Sequence, residues 1–496
     1  MNTNHTSLSS RPFELPKDIL EPQALWSYFY TLCRIPRGSG NTEAVQRWLL
    51  DFAAAHGLES RQDKVGNVLI RKPASPNKQA TAPVVLQAHM DMVCEKNADT
   101  VHDFKTDPIQ PVIDGEWLKA NGTTLGADNG IGMAAQLAVL ADTTLEHGPV
   151  ECLFTVDEET GLSGAFGLEP GFFEGRTLIN LDSEDDGELF IGCAGGMNSH
   201  IMFHFETEPV HDTLFFFTLQ VKGLQGGHSG DDIEKGRGNA NHLLARTLWQ
   251  LSREVDLRLA AFTGGNLSNA IPREASCLAA VPSSQKETVR VQLNYLLADL
   301  EDEYRLTDPK LAIELSSTTP PAVMLTKTDS DRFIQAMYAC PTGVMAMSFA
   351  LPGLVETSLN LASVKPVDAT NWLITTSQRS SVESAKHALS QRLEAFFTLA
   401  DMRISHTEGY PGWKPNPDSA LVKLVATTHK DLFGKDPHIR AIHAGLECGL
   451  FLLKYPHLDM VSFGPTMRGV HSPDERLHIP TVQPFWALLT ETLKRL

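Results

Sequence analysis

Four short apolar runs in this chain lead, directly or through one loop, into acids and histidines. Residues 82–88 (APVVLQA) precede His89 and Asp91. Residues 150–156 (VECLFTV) precede Asp157, Glu158 and Glu159. Residues 177–181 (TLINL) precede Asp182. Residues 458–463 (LDMVSF) precede the loop that carries His471. A further acid, Asp128, opens the apolar helical stretch 130–141. Short apolar runs with such flanks read as buried strands. Their alternation with helices predicts an α/β fold with a mixed central sheet covered by helices on both faces. In open sheets of this kind the loops beyond the carboxyl ends of the strands meet in one crevice. Singly, each residue has an ordinary explanation, because a strand-end Asp more often caps a turn or a helix than binds anything. Gathered together, the carboxylates would repel one another unless a cation neutralised them. Histidine nitrogen with carboxylate oxygen suits Zn²⁺ or a similar divalent ion, with Mn²⁺ and Co²⁺ as alternatives.

With 496 residues the chain is long enough for two or three domains. Residues 42–57 read as an amphipathic helix, with Asn41 or Thr42 as its N-cap and Gly57 at its end. The middle reads differently. A strand at 213–221, a glycine-rich turn, a helix at 239–252, a strand at 371–376 and a helix at 381–400 describe a smaller α+β module. It is placed at 198–401 as an inserted lid, with 1–197 and 402–496 forming the larger catalytic domain. The charge-free stretch 333–355 is broken by Pro341, Gly343, Pro352 and Gly353. It reads as loop plus buried strand rather than a membrane span, with Met345, Met347 and Phe349, near Leu351, in the core.

Composition excludes several classes of function. The 42 basic residues against 60 acidic ones leave a net charge of −18, so nucleic acid and anionic membranes are not expected partners. Seven scattered cysteines without a CxxC pair argue against a disulfide framework and a thiolate zinc site. The first residues lack a basic start followed by an apolar core, so no secretory signal is expected and the cytoplasm is the predicted location. Neither G-x-S-x-G nor H-E-x-x-H occurs, which leaves serine-hydrolase and thermolysin-like readings without support. Cys448 beside Glu447 reads as buried packing.

The strings HMDMV, GADNGIG, TVDEETGL, NLDSED and GVHSPDE, taken together, resemble the co-catalytic zinc peptidases. That family includes carnosinases, peptidase T and glutamate-releasing carboxypeptidases. Within it, GGHSGDDIEKGRGNAN, GGNLSNAIPREA and HAGLECGLF are similar to the bacterial aminoacyl-histidine (Xaa-His) dipeptidases. The resemblance runs in matched order from about His89 to His471.

It implies two zinc ions per chain. His89 and Asp182 bind one, Glu159 and His471 the other, and Asp128 bridges both, with a cis peptide bond after Asp128. Asp91 orients His89. Glu158 takes a proton from a metal-bridging water and passes it to the leaving amine. In the lid, His228 donates to the developing oxyanion, supplied by the partner subunit of a lid-paired homodimer. Asn269 and Arg379 hold the substrate's carboxylate end, Gly445 admits backbone close to the substrate, and Glu447 meets its free amino group. The implied activity is hydrolysis of Xaa-His dipeptides such as carnosine. The same metal centre could instead serve a tripeptidase, an N-acyl-amino-acid deacylase or a carboxypeptidase. A non-catalytic binding protein or a purely structural metal protein fits less well, since Glu158 accompanies all five ligands.

Overall fold

The run before His89 forms the strand Val84–His89, and all 6 of its residues are buried. It lies at the centre of an eight-stranded mixed sheet in the computed structural model, which describes residues 20–496. The amino-terminal stretch read above for a leader therefore lies outside the described residues. Val84–His89 runs parallel to Val150–Thr155 on one side and to Thr177–Asn180 on the other. Asp459–Ser462 extends the parallel set beyond Thr177–Asn180. Glu59–Gln62 and Val68–Lys72 close one edge in antiparallel register. All four apolar runs singled out in the sequence thus become neighbouring parallel strands. Their carboxyl ends point the same way, so the residues that follow them converge.

The described chain falls into two units. The first comprises the chain up to Ile191 with Asn416–Arg440 and Leu450–Leu496. It contains the mixed sheet and the buried helix Ala127–Ala141, which packs on Val84–His89 and on Gln23–Cys33. A four-stranded sheet in this unit pairs Met467–Arg468 with Arg476–His478. The hairpin loop between those two strands carries His471. The helix expected at 42–57 spans Glu43–Ala55, with Thr42 at its N-cap and Gly57 in the left-handed region just past its end.

The second unit comprises Gly192–Pro415 and Ala441–Gly449. Its main sheet has nine strands, joined by antiparallel pairings. Leu214–Lys222, Asn371–Ser380 and the helices Ala240–Ser252 and Glu383–Leu399 stand where the sequence placed them. Asn239 caps its helix by accepting from the His242 amide. Phe203, Phe217, Leu244, Phe333, Leu361 and Ile374 belong to one buried cluster. Each such side chain contributes roughly 1.5–3 kcal/mol by leaving water. The unit is wider than the expected 198–401. Gly195–His204 pairs along its whole length with Asn371–Ser380, and its outer edge pairs with Arg403–His406. The ladder carries those flanking residues into this unit.

The stretch 333–355 differs from its reading. Phe333 to Ala339 completes the helix Lys327–Ala339, with Phe333, Ile334 and Met337 buried. The strand Gly343–Met347 is an added edge on Val355–Pro366 and is only partly covered. Met345 packs against the core, but Met347 is exposed and Phe349 fully so, at 101%. Absence of charge does not distinguish a buried helix from an uncovered hairpin. Among the described residues no helix is long and apolar enough to cross a membrane. No disulfide links the seven cysteines, and Cys448 is buried.

Candidate active site

In the first unit, two histidines meet three carboxylates, and Asp128 stands between them. Its Oδ1 lies 3.0 Å from His89 Nε2, and its Oδ2 lies 3.3 Å from His471 Nε2. His89 Nε2 is also 3.4 Å from Asp182 Oδ1, and His471 Nε2 is 3.0 Å from Glu159 Oε2. The result is two sets of three ligand atoms, His89–Asp128–Asp182 and Asp128–Glu159–His471, each set within 4.8 Å. These are the sets that the resemblance implied. His89, Glu158 and Glu159 also come together within the same limit. The donor set fits a pair of divalent cations, and Glu159 Oε1 is buried with no hydrogen-bond partner. The side chain of His471 is 52% exposed, so the cluster opens to solvent on that side. An open position of this kind suits a catalytic site better than a closed structural one.

Asp91 ties the parts together. Its Oδ1 is 3.4 Å from His89 Nδ1 and accepts from the Glu158 amide at 2.9 Å. Its Oδ2 accepts from the Glu159 amide at 3.2 Å and from Ser39 Oγ at 2.7 Å. The Asp128–Asn129 peptide bond is cis, as the resemblance implied. Asn129 Nδ2 donates to Asp182 Oδ1. Asp157 and His471 both adopt left-handed backbone, at φ 49° and 63°. Such strain in non-glycine residues concentrates at functional sites.

The electrostatics show how crowded the centre is. Burial would depress the His89 imidazole, but Asp182, Asp128 and Asp91 override it and raise its pKa well above the ordinary value. Hydrogen bonds to Asp128 and Glu159 raise His471 to about 11. Burial works against ionised Asp128, yet His471 and His89 hold it below the usual carboxylate range. Asp182 is pushed up to about 6, first by burial and then, against the pull of His89, by Asp128 and Glu159. Glu184 is raised to about 8, by burial and then by the charges of Asp128 and Asp182. Carboxylates held this close to one another favour positive charge in their midst.

Two supporting residues were not found from the sequence. Glu475 is buried and accepts from the amides of Leu125, Gly126, Ala127 and Asp128, at 2.7, 3.0, 2.8 and 3.3 Å. It therefore fixes the turn that presents Asp128. Its nearness to His471 in GVHSPDE is a sequence signal, but not one that predicts this role. Arg37 is buried and donates to the carbonyls of Met90 and Asp91, both at 3.0 Å, and to that of Gly126. Nothing in its local sequence marks it.

The second unit gathers another cluster. His228 lies on a two-residue strand paired with Ala270–Ile271, which puts Asn269 in the adjoining turn. Ser229 donates its amide to the Asn269 carbonyl at 2.8 Å. Arg379 is only 6% exposed. Its Nη2 is 3.5 Å from His228 Nε2, its Nε is 3.4 Å from Ser229 Oγ, and its Nη1 donates to Tyr410 Oη at 3.0 Å. Among the described residues no carboxylate lies within ion-pair distance of this buried guanidinium. His228 Nδ1 faces Asp231 Oδ2 at 3.3 Å, and this contact lowers the Asp231 pKa against the effect of burial. His443 Nε2 is 2.7 Å from Ser358 Oγ. Burial, then the Arg379 charge, push His443 down to about 4. Gly445 lies against the Tyr410 ring, and Glu447 begins the helix Glu447–Lys454 fully buried.

Residues 85–495 match the family described as peptidase family M20/M25/M40. The cytosol non-specific dipeptidase of Escherichia coli (strain K12) is 47% identical over 477 residues, covering 96% of this chain and 98% of its own. The crystal structure of the aminoacylhistidine dipeptidase from Vibrio alginolyticus superposes with a TM-score of 0.90 at 44% identity, over 96% of this chain and 97% of its own. A tripeptidase structure from Staphylococcus aureus, at 17% identity and a TM-score of 0.50, shares the fold over 96% of this chain and 99% of its own.

Proposed function

Because the chain belongs to peptidase family M20/M25/M40, whose members are metal-dependent hydrolases, we propose that it is a dipeptidase and that Xaa-His dipeptides such as carnosine are among its substrates. The observation that carries this reading is the pair of ligand sets sharing Asp128, with Glu158 anchored beside them on Asp91. We assign two Zn²⁺ ions to those sets, or Mn²⁺ or Co²⁺ in their place; when bound they polarise the scissile carbonyl and supply an activated water. Glu158 takes the proton of the attacking water and returns it to the leaving nitrogen. The Asp91 carboxylate keeps His89 and the Glu158 turn in register while this happens.

His228 would donate to the oxygen that gains charge. Arg379 and Asn269 would hold the terminal carboxylate, Gly445 would let backbone approach the substrate, and Glu447 is assigned the amino group on residue type alone. The buried Arg379 guanidinium feels the Asp231 charge but is in ion-pair contact with no carboxylate among the described residues, which supports an anionic ligand, because a buried cation without a direct partner is costly. A planar fork suits a carboxylate. We also propose that the second unit is the lid, that it pairs in a homodimer delivering His228 to the partner's metal centre, and that the protein works in the cytoplasm. Mixing a His228→Ala chain with a Glu158→Ala chain tests the trans arrangement by recovery of activity.

A second reading, a dipeptidase of broad range, is favoured by the name of the Escherichia coli relative. One experiment addresses both. Metal content is counted, then activity is measured after chelation and metal add-back on β-Ala-His, other dipeptides, a tripeptide and an N-acyl amino acid. Two ions per chain and metal-restored cleavage of dipeptides alone support the proposal. Turnover of only the acylated substrate defeats it, and equal turnover of all dipeptides favours the broader reading.

A further inference from the structure

We propose that Tyr410 sets the substrate end-group specificity of this enzyme: it fixes the fork of Arg379 and donates its own hydroxyl proton to the substrate's terminal carboxylate. The inference rests on the reading that Arg379 receives that carboxylate.

The placement of Tyr410 is built from the main chain outward. Gly196 is the register partner of Arg379 across the strand pair. Gly196 and Tyr410 exchange both main-chain hydrogen bonds, at 3.0 and 2.8 Å. The buried Lys386 donates to the Tyr410 carbonyl at 2.6 Å. Tyr410 is therefore held one strand away from Arg379. Its ring then occupies a slot that two glycines keep open. A Cβ on Gly196 would come within 2.7 Å of the ring and its hydroxyl, and one on Gly445 within 2.9 Å of Cε2. Any larger residue at either position would displace the ring. This gives Gly445 a role that its sequence context did not suggest.

The hydroxyl group then has one available function. Its oxygen accepts from Arg379 Nη1 at 3.0 Å, so its proton points elsewhere. A guanidinium carries five N–H donors and no acceptor. With Nε turned to Ser229 and one N–H of Nη1 turned to Tyr410, the second N–H of Nη1 and the N–H groups of Nη2 remain. That remainder, with the phenolic O–H beside it, matches the acceptor positions of a carboxylate. A peptide amide at the same place offers neither the charge nor the second acceptor oxygen.

The test uses the metal-loaded full-length enzyme and the conservative variant Tyr410→Phe, which keeps the ring in its slot. The KM for a dipeptide should rise about ten- to 150-fold, the size of one lost hydrogen bond to a charged group, with kcat within about threefold. The Ki of the same dipeptide as its C-terminal amide should stay unchanged. A rise in KM matched by an equal rise in that Ki, or no rise in KM, overturns the assignment of Tyr410. Arg379→Lys is measured beside it. If Arg379→Lys leaves the dipeptide KM unaltered, the carboxylate reading of Arg379 itself fails. If it raises KM and Tyr410→Phe does not, only the Tyr410 proposal fails.

Discussion

The Glu158 amide donates to Oδ1 of Asp91 at 2.9 Å, in a structure where the same carboxylate also faces the far nitrogen of His89. One side chain thus positions a ligand of the first set, the turn carrying a ligand of the second, and the proposed base. Asp91→Ala should lower kcat/KM by about 10- to 100-fold, the range seen when a group orienting a metal ligand is lost. Because Asp91 touches both sets, metal content should fall as well. Steady-state assay with metal analysis of the dialysed protein checks both. A variant with full metal content and full activity would remove Asp91 from the site.

Glu158→Ala separates proton transfer from metal binding. Glu158 belongs to neither of the two ligand sets that share Asp128, although it approaches His89 and Glu159. Its loss should lower kcat by roughly 10²- to 10⁴-fold, the contribution typical of a positioned base. Metal content should be unchanged. Loss of metal in this variant would make Glu158 a ligand instead.

Most of the candidate metal cluster was legible in the sequence because His89, Glu159 and Asp182 follow buried strands, and buried parallel strands advertise themselves as apolar runs. Parallel pairing then brings His89, Asp182 and the 157–159 turn to one edge without any further information. Arg37 and Glu475 were not legible because they bind main-chain carbonyls and amides. Such partners leave no pattern in side-chain type, and the Glu475 contacts span up to 350 positions. Tyr410 was missed for the same reason, since its place follows from main-chain pairing with Gly196. The edges of the second unit were misjudged because Gly195–His204 begins without any break in composition.

Protonation links metal binding to pH. Hydrogen bonds to Asp128 and Glu159 raise His471 to about 11, and neighbouring carboxylates raise His89 despite its burial. Both imidazoles are therefore protonated in the metal-free protein near neutrality. Metal ligation requires the neutral ring, so loading must release protons. Apparent affinity should rise with pH across the neutral range. Titration calorimetry in buffers of different ionisation enthalpy should report release of more than one proton per chain. For the metal-free protein the sign is opposite. A histidine whose folded pKa is raised stabilises fully below its unfolded value of about 6.5, and that stability is lost as pH rises towards the folded value. The thermal midpoint of the metal-free protein should therefore decline from neutral to alkaline pH, while the metal-loaded midpoint should not follow it.

Glu475 should matter through stability as much as through activity. Its two oxygens accept from four consecutive amides, Leu125 to Asp128. These donors lie in the turn leading into the helix Ala127–Ala141, whose backbone is non-helical at Asp128 and Asn129, so no helical carbonyl is available to them. Burial raises the Glu475 pKa in opposition to those amides, so the favourable part of the contact is acceptance rather than net charge. Glu475→Ala leaves the donors without their acceptor and should cost about 3 kcal/mol. Glu475→Gln retains one acceptor oxygen and should cost less. Thermal or urea unfolding of the metal-free proteins checks the order wild type, Gln, Ala. Metal affinity should weaken in the same order, because the turn being loosened is the one that presents Asp128 to both histidines. Equal stability of all three proteins would show that the amides find other partners and that Glu475 does not hold this turn.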